Sequence, residues 1–269
     1  LSISSFFKGV LGLPQKNKVG LVLGGGVARG IAHIGVLKVL TEYKVPIDYI
    51  VGVSSGSIIA GAYATGMQID LLEKIALNIH WTNLIKPVFW KPGFISSEAI
   101  EEFFVKYFGD PRFSELKTPF ATTASDLKDG KRIVLSSGRV AKAVRASASF
   151  PGVFTPTAIE HQHLVDGGTT DNLPVDVAFD MGAGYVIASD VIPGAALKHV
   201  PQDAFLVLGR SLDILLKTNT NLARKKPSIL IEPEIEEDIW HLDIGKAKRL
   251  IKAGEIAAHL LVNRIKRSI

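Results

Sequence analysis

Twice within its first 66 residues the chain runs an apolar stretch into glycine or other small residues and then into a second apolar stretch of helical length. The first instance is "VGLVLGGG" from Val19, followed by "GIAHIGVLKVLTEY" from Gly30. The second is "DYIVGV" from Asp48, followed by "SGSIIAGAYATG" from Ser55. A strand that is apolar at nearly every position is buried on both faces, and that happens where a parallel sheet lies between helices. The repeated strand, glycine turn and buried helix therefore confine the chain to the α/β class, with a mainly parallel sheet.

The remainder fits one such fold. Helical patterns are expected over about 69–78 and 97–108. "PFATTASDL" and "KRIVLSSG" form a hairpin around Lys128-Asp129-Gly130, because Asp-Gly supplies the backbone conformation a tight turn needs. A helix from Arg139, a short hairpin "TAIEHQHLVDGG", a helix near Pro174, the buried strand "GYVIASDVI", a helix from about 203 to 222, the strand "SILIEP" and a final helix follow. In the final helix Ala247, Leu250, Ile251, Gly254, Ala258, Leu261 and Ile265 share one face. No repeat or linker divides the chain, so residues 1–269 are read as a single domain: an N-terminal segment 1–17, a block 18–180 and a completing part 181–269. In the first segment Ile3, Phe6, Phe7, Val10 and Leu11 fall on one helical face, which suits either docking on the domain or a membrane-surface anchor.

Charge and cysteine content remove several function classes. The 31 basic and 26 acidic residues leave a net +5, a mild attraction for anionic surfaces that is far short of a nucleic-acid footprint. With no cysteine, disulfides, thiolate metal sites and thiol nucleophiles are excluded. No apolar run approaches the roughly 20 residues of a spanning helix. The expectation is a cytoplasmic or peripheral membrane location, with neither signal peptide nor transmembrane helix in this chain.

The second glycine turn holds a chemical candidate. Gly52-Val53-Ser54-Ser55-Gly56 has the Gly-x-Ser-x-Gly form, in which flanking glycines permit a sharp turn that presents the central hydroxyl at a helix N-terminus. Ser54 as nucleophile competes with Ser54 as an ordinary helix N-cap. Gly24, Gly25 and Gly26 at the preceding strand end expose backbone N–H groups of the kind an oxyanion needs. A dinucleotide or Walker loop is disfavoured there, because Arg29 occupies the place of a further glycine and no Gly-Lys-Ser/Thr follows. Asp166 closes a short strand before Gly167-Gly168, where a bare aspartate also serves as a turn former. Among His80, His161, His163, His199, His241 and His259, none sits in a glycine-flanked strand-end loop, so a carboxylate is the alternative base.

The segments "GGGVARGIAHIGVLKVL", "VGVSSGSIIAGAYATG", "RASASFPGVFTP" and "LVDGGTTDNLPV", in this order, resemble the patatin-like phospholipases, and "LIKAGEIAAH" fits the bacterial branch of that family. The resemblance implies a three-layer α/β/α fold and a serine acyl hydrolase that cleaves fatty-acyl esters of phospholipids or lysophospholipids. It implies Ser54 as nucleophile, Asp166 as general base, Gly25 and Gly26 with Gly24 as oxyanion hole, and no metal or cofactor, hence calcium independence. Arg29 matches the arginine of the family's glycine motif. Since a carboxylate titrating near 4 is a poor base for serine, such a dyad requires Asp166 to be desolvated.

Other residues have less specific readings. Arg29, Arg145 and Trp90 are candidates for substrate contact, with Arg145 either binding a lipid phosphate or stabilising its loop, and peripheral membrane contact is expected of a lipid esterase. Trp81, Phe89, Trp90 and Phe94 form an aromatic loop that packs in the core, lines or lids an acyl site, or enters a membrane. His33 reads as a hydrogen-bonded core histidine and Asp126 as a turn former. The competing function is a lipid-binding or regulatory protein on the same fold. Acyl transfer to a carrier is a third reading, weakened by the lack of a well-placed histidine.

Overall fold

The computed structural model describes residues 17–79, 86, 93–192, 194, 200–202, 204–221, 226–235 and 244–269. The amphipathic stretch 1–16, most of the aromatic loop including Trp90, and His80, His199 and His241 lie outside these residues. The chain opens with β1 (Val19–Leu23), a 3-10 turn Val27–Ile31, α1 (Ala32–Glu42), β2 (Tyr49–Gly52), α2 (Ser55–Ala64), α3 (Ile69–Asn78) and α4 (Glu98–Phe108). It continues through β3 (Phe120–Asp126), β4 (Arg132–Leu135), α5 (Val140–Ser147), β5 (Thr157–Ile159), β6 (Gln162–Asp166) and α6 (Val175–Asp180). The last elements are β7 (Tyr185–Ser189), α7 (Ala204–Asn221), β8 (Ile229–Ile231) and α8 (Ala247–Ser268). Among the described residues no helix is long and apolar enough to cross a membrane.

The sheet runs in the order β5-β6-β3-β2-β1-β7-β8, with β4 paired to β3. The five strands from β3 to β8 in this order are parallel, and β4, β5 and β6 add antiparallel pairs at one side. Alternation of side chains separates two cores. Val19, Leu21, Leu23, Ile50 and Ile187 pack into a large cluster with α1, α2, α4 and α8, whereas Val22, Val51, Val186 and Ala188 meet Val175, Val177 and Ala178 around α6. The expected three layers are present but unequal, since among the described residues one short helix supplies the second core.

Two glycines set the thickness of the larger helical layer. A Cβ at Gly35 of α1 would stand 2.0 Å from the Ile251 carbonyl oxygen, and one at Gly254 of α8 would stand 1.9 Å from that of Ala32. The helices touch backbone to backbone, a separation no larger residue allows.

The pairing of β3 decides what meets beyond the C-terminal end of β2. Thr122 faces Gly52 of β2 on one edge and Leu135 of β4 on the other. Ala124 faces Ile133 of β4 on that second edge and therefore Asp166 of β6 on the first. Thus β2 and β6 share one edge of β3 and approach each other C-terminus to C-terminus. Gly52 and Asp166 are bonded to positions two residues apart on β3, about 7 Å along a strand.

Candidate active site

Ser54 stands in the turn between β2 and α2 with φ 52° and ψ −125°, one of four non-glycine residues in the left-handed region among those described. Such a conformation costs on the order of 1–3 kcal/mol and persists only where its surroundings enforce it. They do so here through the two glycines. A Cβ at Gly52 would lie 2.6 Å from the Gly56 carbonyl oxygen, and one at Gly56 would lie 2.4 Å from that of Leu23. The Ser54 N–H donates to Ser147 Oγ at 2.9 Å, and its carbonyl accepts from Ser57 N–H and Oγ. Its hydroxyl does not cap α2. An N-cap serine adopts an extended backbone and accepts from the helix, so the capping reading fails on both counts.

Asp166 ends β6, buried, with its N–H bonded to the Ser149 carbonyl. Oδ1 accepts from Gly168 N–H at 2.8 Å, and Oδ2 is buried with no hydrogen-bond partner among the described residues. Burial pushes the carboxyl from 3.8 up to about 6, against the opposing influence of the Ser54 hydroxyl and the Gly168 N–H. The serine thus lies near enough to act on the carboxylate electrostatically, short of a well-formed hydrogen bond. Such bonds are often long until substrate is present.

The glycine loop is oriented through its carbonyls. His33 Nε2 sits 2.8 Å from the Gly24 carbonyl, which can only accept, so Nε2 carries the proton and Nδ1 accepts from Ser189 Oγ at 3.0 Å. Burial lowers His33 to about 4, so it is neutral, as a core histidine should be. Asn172 Nδ2 donates to the Gly25 carbonyl at 3.2 Å. Each trans peptide points its N–H opposite its C=O. Holding the carbonyls of Gly24 and Gly25 therefore directs the N–H groups of Gly25 and Gly26 the other way. Among the described residues neither N–H has an acceptor. Gly25 also touches the serine closely, since a Cβ there would lie 3.0 Å from Ser54 Cβ and 2.6 Å from Asn172 Oδ1.

Three sequence candidates need correction. The Gly24 N–H donates to the Ser189 carbonyl at 3.0 Å as part of the sheet, so it is not available to an oxyanion. Arg29 is buried and donates to Asp213 Oδ1 of α7 at 2.7 Å, lining no cavity at Ser54. Arg145 donates to Ser97 Oγ at 2.9 Å and pairs with Glu101 at 3.2 Å, tying α5 to α4 away from the serine. Trp90 lies outside the described residues. Asp126 accepts from Lys128 N–H at 2.8 Å, as a turn former does. Of the described histidines, His161 and His163 are exposed and His259 packs edge-on against Tyr43.

Two cavities meet at Ser54. One, about 140 Å³, is apolar and runs between α2, α3 and α4, lined by Ile58, Ile59, Leu72, Ile75 and Phe103 among others. The second, about 230 Å³, is bounded by Gly25, Gly26, Asp166, Gly168, Asn172 and the α7 side chains Leu212, Leu215, Leu216 and Asn219. Sequence reasoning passed over Asn172 and α7. The asparagine stood in the quoted glycine-rich segment without a distinguishing pattern, and α7 enters the site from about 160 residues beyond the nucleophile, a closure that local spacing does not encode.

The patatin-like phospholipase family model matches residues 21–179. Lysophospholipase nte1 of Aspergillus fumigatus is 35% identical over 190 residues, covering 68% of this chain and 12% of that protein. Patatin-like phospholipase domain-containing protein 6 of Mus musculus is 35% identical over 185 residues, covering 65% and 14%. The chain therefore spans about an eighth of the length of these relatives. Among solved structures, VipD from Legionella pneumophila superposes with a TM-score of 0.62 at 14% identity over 93% of this chain and 67% of that one. ExoU of the Pseudomonas aeruginosa type III secretion system, solved with SpcU, gives 0.51 at 15% identity over 91% and 52%. At these identities the two structures establish the shared fold alone.

Proposed function

The chain belongs to the patatin-like phospholipase family, and from that premise we propose that it is a serine acyl hydrolase cleaving fatty-acyl esters of phospholipids or lysophospholipids, with residues 1–269 acting as one catalytic domain. The observation that carries the reading is the buried, unpartnered Asp166 Oδ2 in a cavity that Ser54, Gly25 and Gly26 also line. An unpaired buried carboxylate oxygen is costly to keep and is rare unless it is used.

In this reading the Ser54 hydroxyl attacks the ester carbonyl carbon while Asp166 Oδ2 takes its proton. With a pKa of about 6 the carboxylate is ionised at neutral pH yet more basic than an exposed one. The carbonyl oxygen becomes an oxyanion between the Gly25 and Gly26 N–H groups, whose directions are set before substrate arrives. Collapse breaks the ester C–O bond, and the leaving alcohol or lysolipid takes the proton from Asp166. Water then gives up a proton to Asp166 and attacks the acyl-serine; the bond from the acyl carbon to Ser54 Oγ breaks, Ser54 takes the proton back from Asp166, and the fatty acid is released. The apolar cavity beside Ser54 suits the acyl chain, and the second cavity the remainder of the ester.

The test compares p-nitrophenyl ester hydrolysis by wild type, Ser54→Ala and Asp166→Asn. Loss of on the order of 10³-fold or more is expected in each variant. Turnover unaffected by both substitutions would refute the proposal.

A further inference from the structure

We propose that the outward face of α7 is the surface on which this protein meets its lipid, an apolar stripe that docks on a bilayer or micelle and leads directly into the cavity at Ser54. The inference rests on the acyl-hydrolase reading above and names the physical form in which the substrate is met.

Helical geometry gathers Val207, Leu208, Ser211, Ile214, Leu215 and Thr218 into an arc about 120° wide. No charged residue falls on it. Val207, Leu208, Ile214 and Leu215 are 47%, 58%, 54% and 60% exposed. Single exposed apolar residues are ordinary, but four contiguous ones without a charge mark an interaction surface.

The charges of α7, Arg210, Asp213 and Lys217, lie off this arc, and two of them hold the helix in place. Asp213 pairs with Arg29 in the turn after the glycine loop, and one turn later Lys217 pairs at 2.8 Å with Asp190, just after β7, and with Glu232, just after β8. The stripe is therefore presented outward by a helix anchored to the body of the fold.

Continuity with the cavity selects the occupant. Leu212, Leu216 and Asn219 adjoin the stripe on one side and line the cavity that holds Asp166 and Ser54, while Leu215 belongs to both stripe and cavity. A lipid leaving an apolar phase at the stripe would reach the cavity without crossing water. A second copy of the chain or another protein would instead close the route by which substrate enters.

The experiment uses the full chain with Ser54→Ala, so that binding is read without turnover, and flotation on phosphatidylcholine vesicles. The protein is expected to float, and adding Leu208→Glu with Ile214→Glu, which line neither of the two cavities at Ser54, should weaken partitioning on the order of tenfold or more. With Ser54 intact, the double variant should lose vesicle hydrolysis in proportion while hydrolysing p-nitrophenyl butyrate within about twofold of wild type, which also shows that it is folded. Because the chain has no cysteine, a single Leu208→Cys carries an environment-sensitive fluorophore at the stripe, and its emission should shift to the blue on vesicles. Flotation of the double variant like its parent, or an unshifted probe on floating protein, would overturn the proposal. So would absence of flotation together with a concentration-dependent dimer that the double variant disperses. If wild type hydrolysed no ester and Ser54→Ala still floated through the stripe, the hydrolase reading alone would fall.

Discussion

Replacing Asp166 with asparagine should remove a cost to stability that grows with pH, along with the proposed base. Burial lifts this carboxyl from 3.8 to about 6 in the folded chain, and unfolding returns it to the lower value. A group whose folded pKa is raised contributes its full stability below the unfolded value and loses it as pH rises through the folded one. At about 1.36 kcal/mol per pH unit, keeping Asp166 ionised and buried costs about 3 kcal/mol near pH 7.5 and well under 1 kcal/mol near pH 4. Asparagine is neutral at both. The stability advantage of Asp166→Asn over wild type should therefore widen by about 2 kcal/mol between those two pH values, whatever constant offset the altered contact with Gly168 introduces. For a chain of this size that is about 5 °C in the difference between melting temperatures. Thermal unfolding of both proteins at several pH values across this range is the assay. A difference that stays flat with pH would mean that Asp166 is not held in the desolvated state described above, and the argument for it as a strengthened base would fail.

Three further outcomes follow from other parts of the molecule. The kcat/KM for a soluble ester should rise with pH to a plateau with its midpoint near the value of about 6 set by Asp166, and a midpoint near 4 would contradict desolvation of the base. Asn172→Ala frees the Gly25 carbonyl and should lower kcat by about tenfold with little change in KM, less than the loss of a whole oxyanion donor; an equal rise in KM would indicate general damage to the cavity instead. Gly254→Ala forces a methyl against the Ala32 carbonyl and should destabilise the fold by about 3 kcal/mol in denaturant titration, whereas an unchanged midpoint would show that α1 and α8 separate freely.

Much of the fold was legible because its signals are local. Burial on both sides of β1 and β2 leaves no room for polar alternation, so the apolar runs after Val19 and Tyr49 declared a covered sheet. The face of α8 was readable from helical spacing, with Ala247, Leu250, Ile251, Gly254, Ala258 and Ile265 all buried and Leu261 half-buried. The close approach of Gly254 to α1 was not readable, because a glycine in a helix announces freedom of space without saying what fills it. The unequal depth of the two helical layers was hidden for a similar reason, since the strand pattern reports that a face is covered and not by how much.

At the site, the spacing of small residues at sharp strand-end turns pointed to Ser54 and the glycine loop, and the resemblance of the segment around Asp166 to the family pointed to that carboxylate. Which groups act on which was a matter for the tertiary structure. It spent the Gly24 N–H on the Ser189 carbonyl, turned Arg29 toward Asp213 and Arg145 toward Ser97 and Glu101, and set His33 and Asn172 behind the glycine carbonyls. Above all it brought Asp166 to Ser54 through β3, whose one edge carries the ends of both β2 and β6. Turn chemistry is written in neighbouring residues, but strand pairing across more than a hundred residues is decided only when the sheet closes and its two faces are buried together.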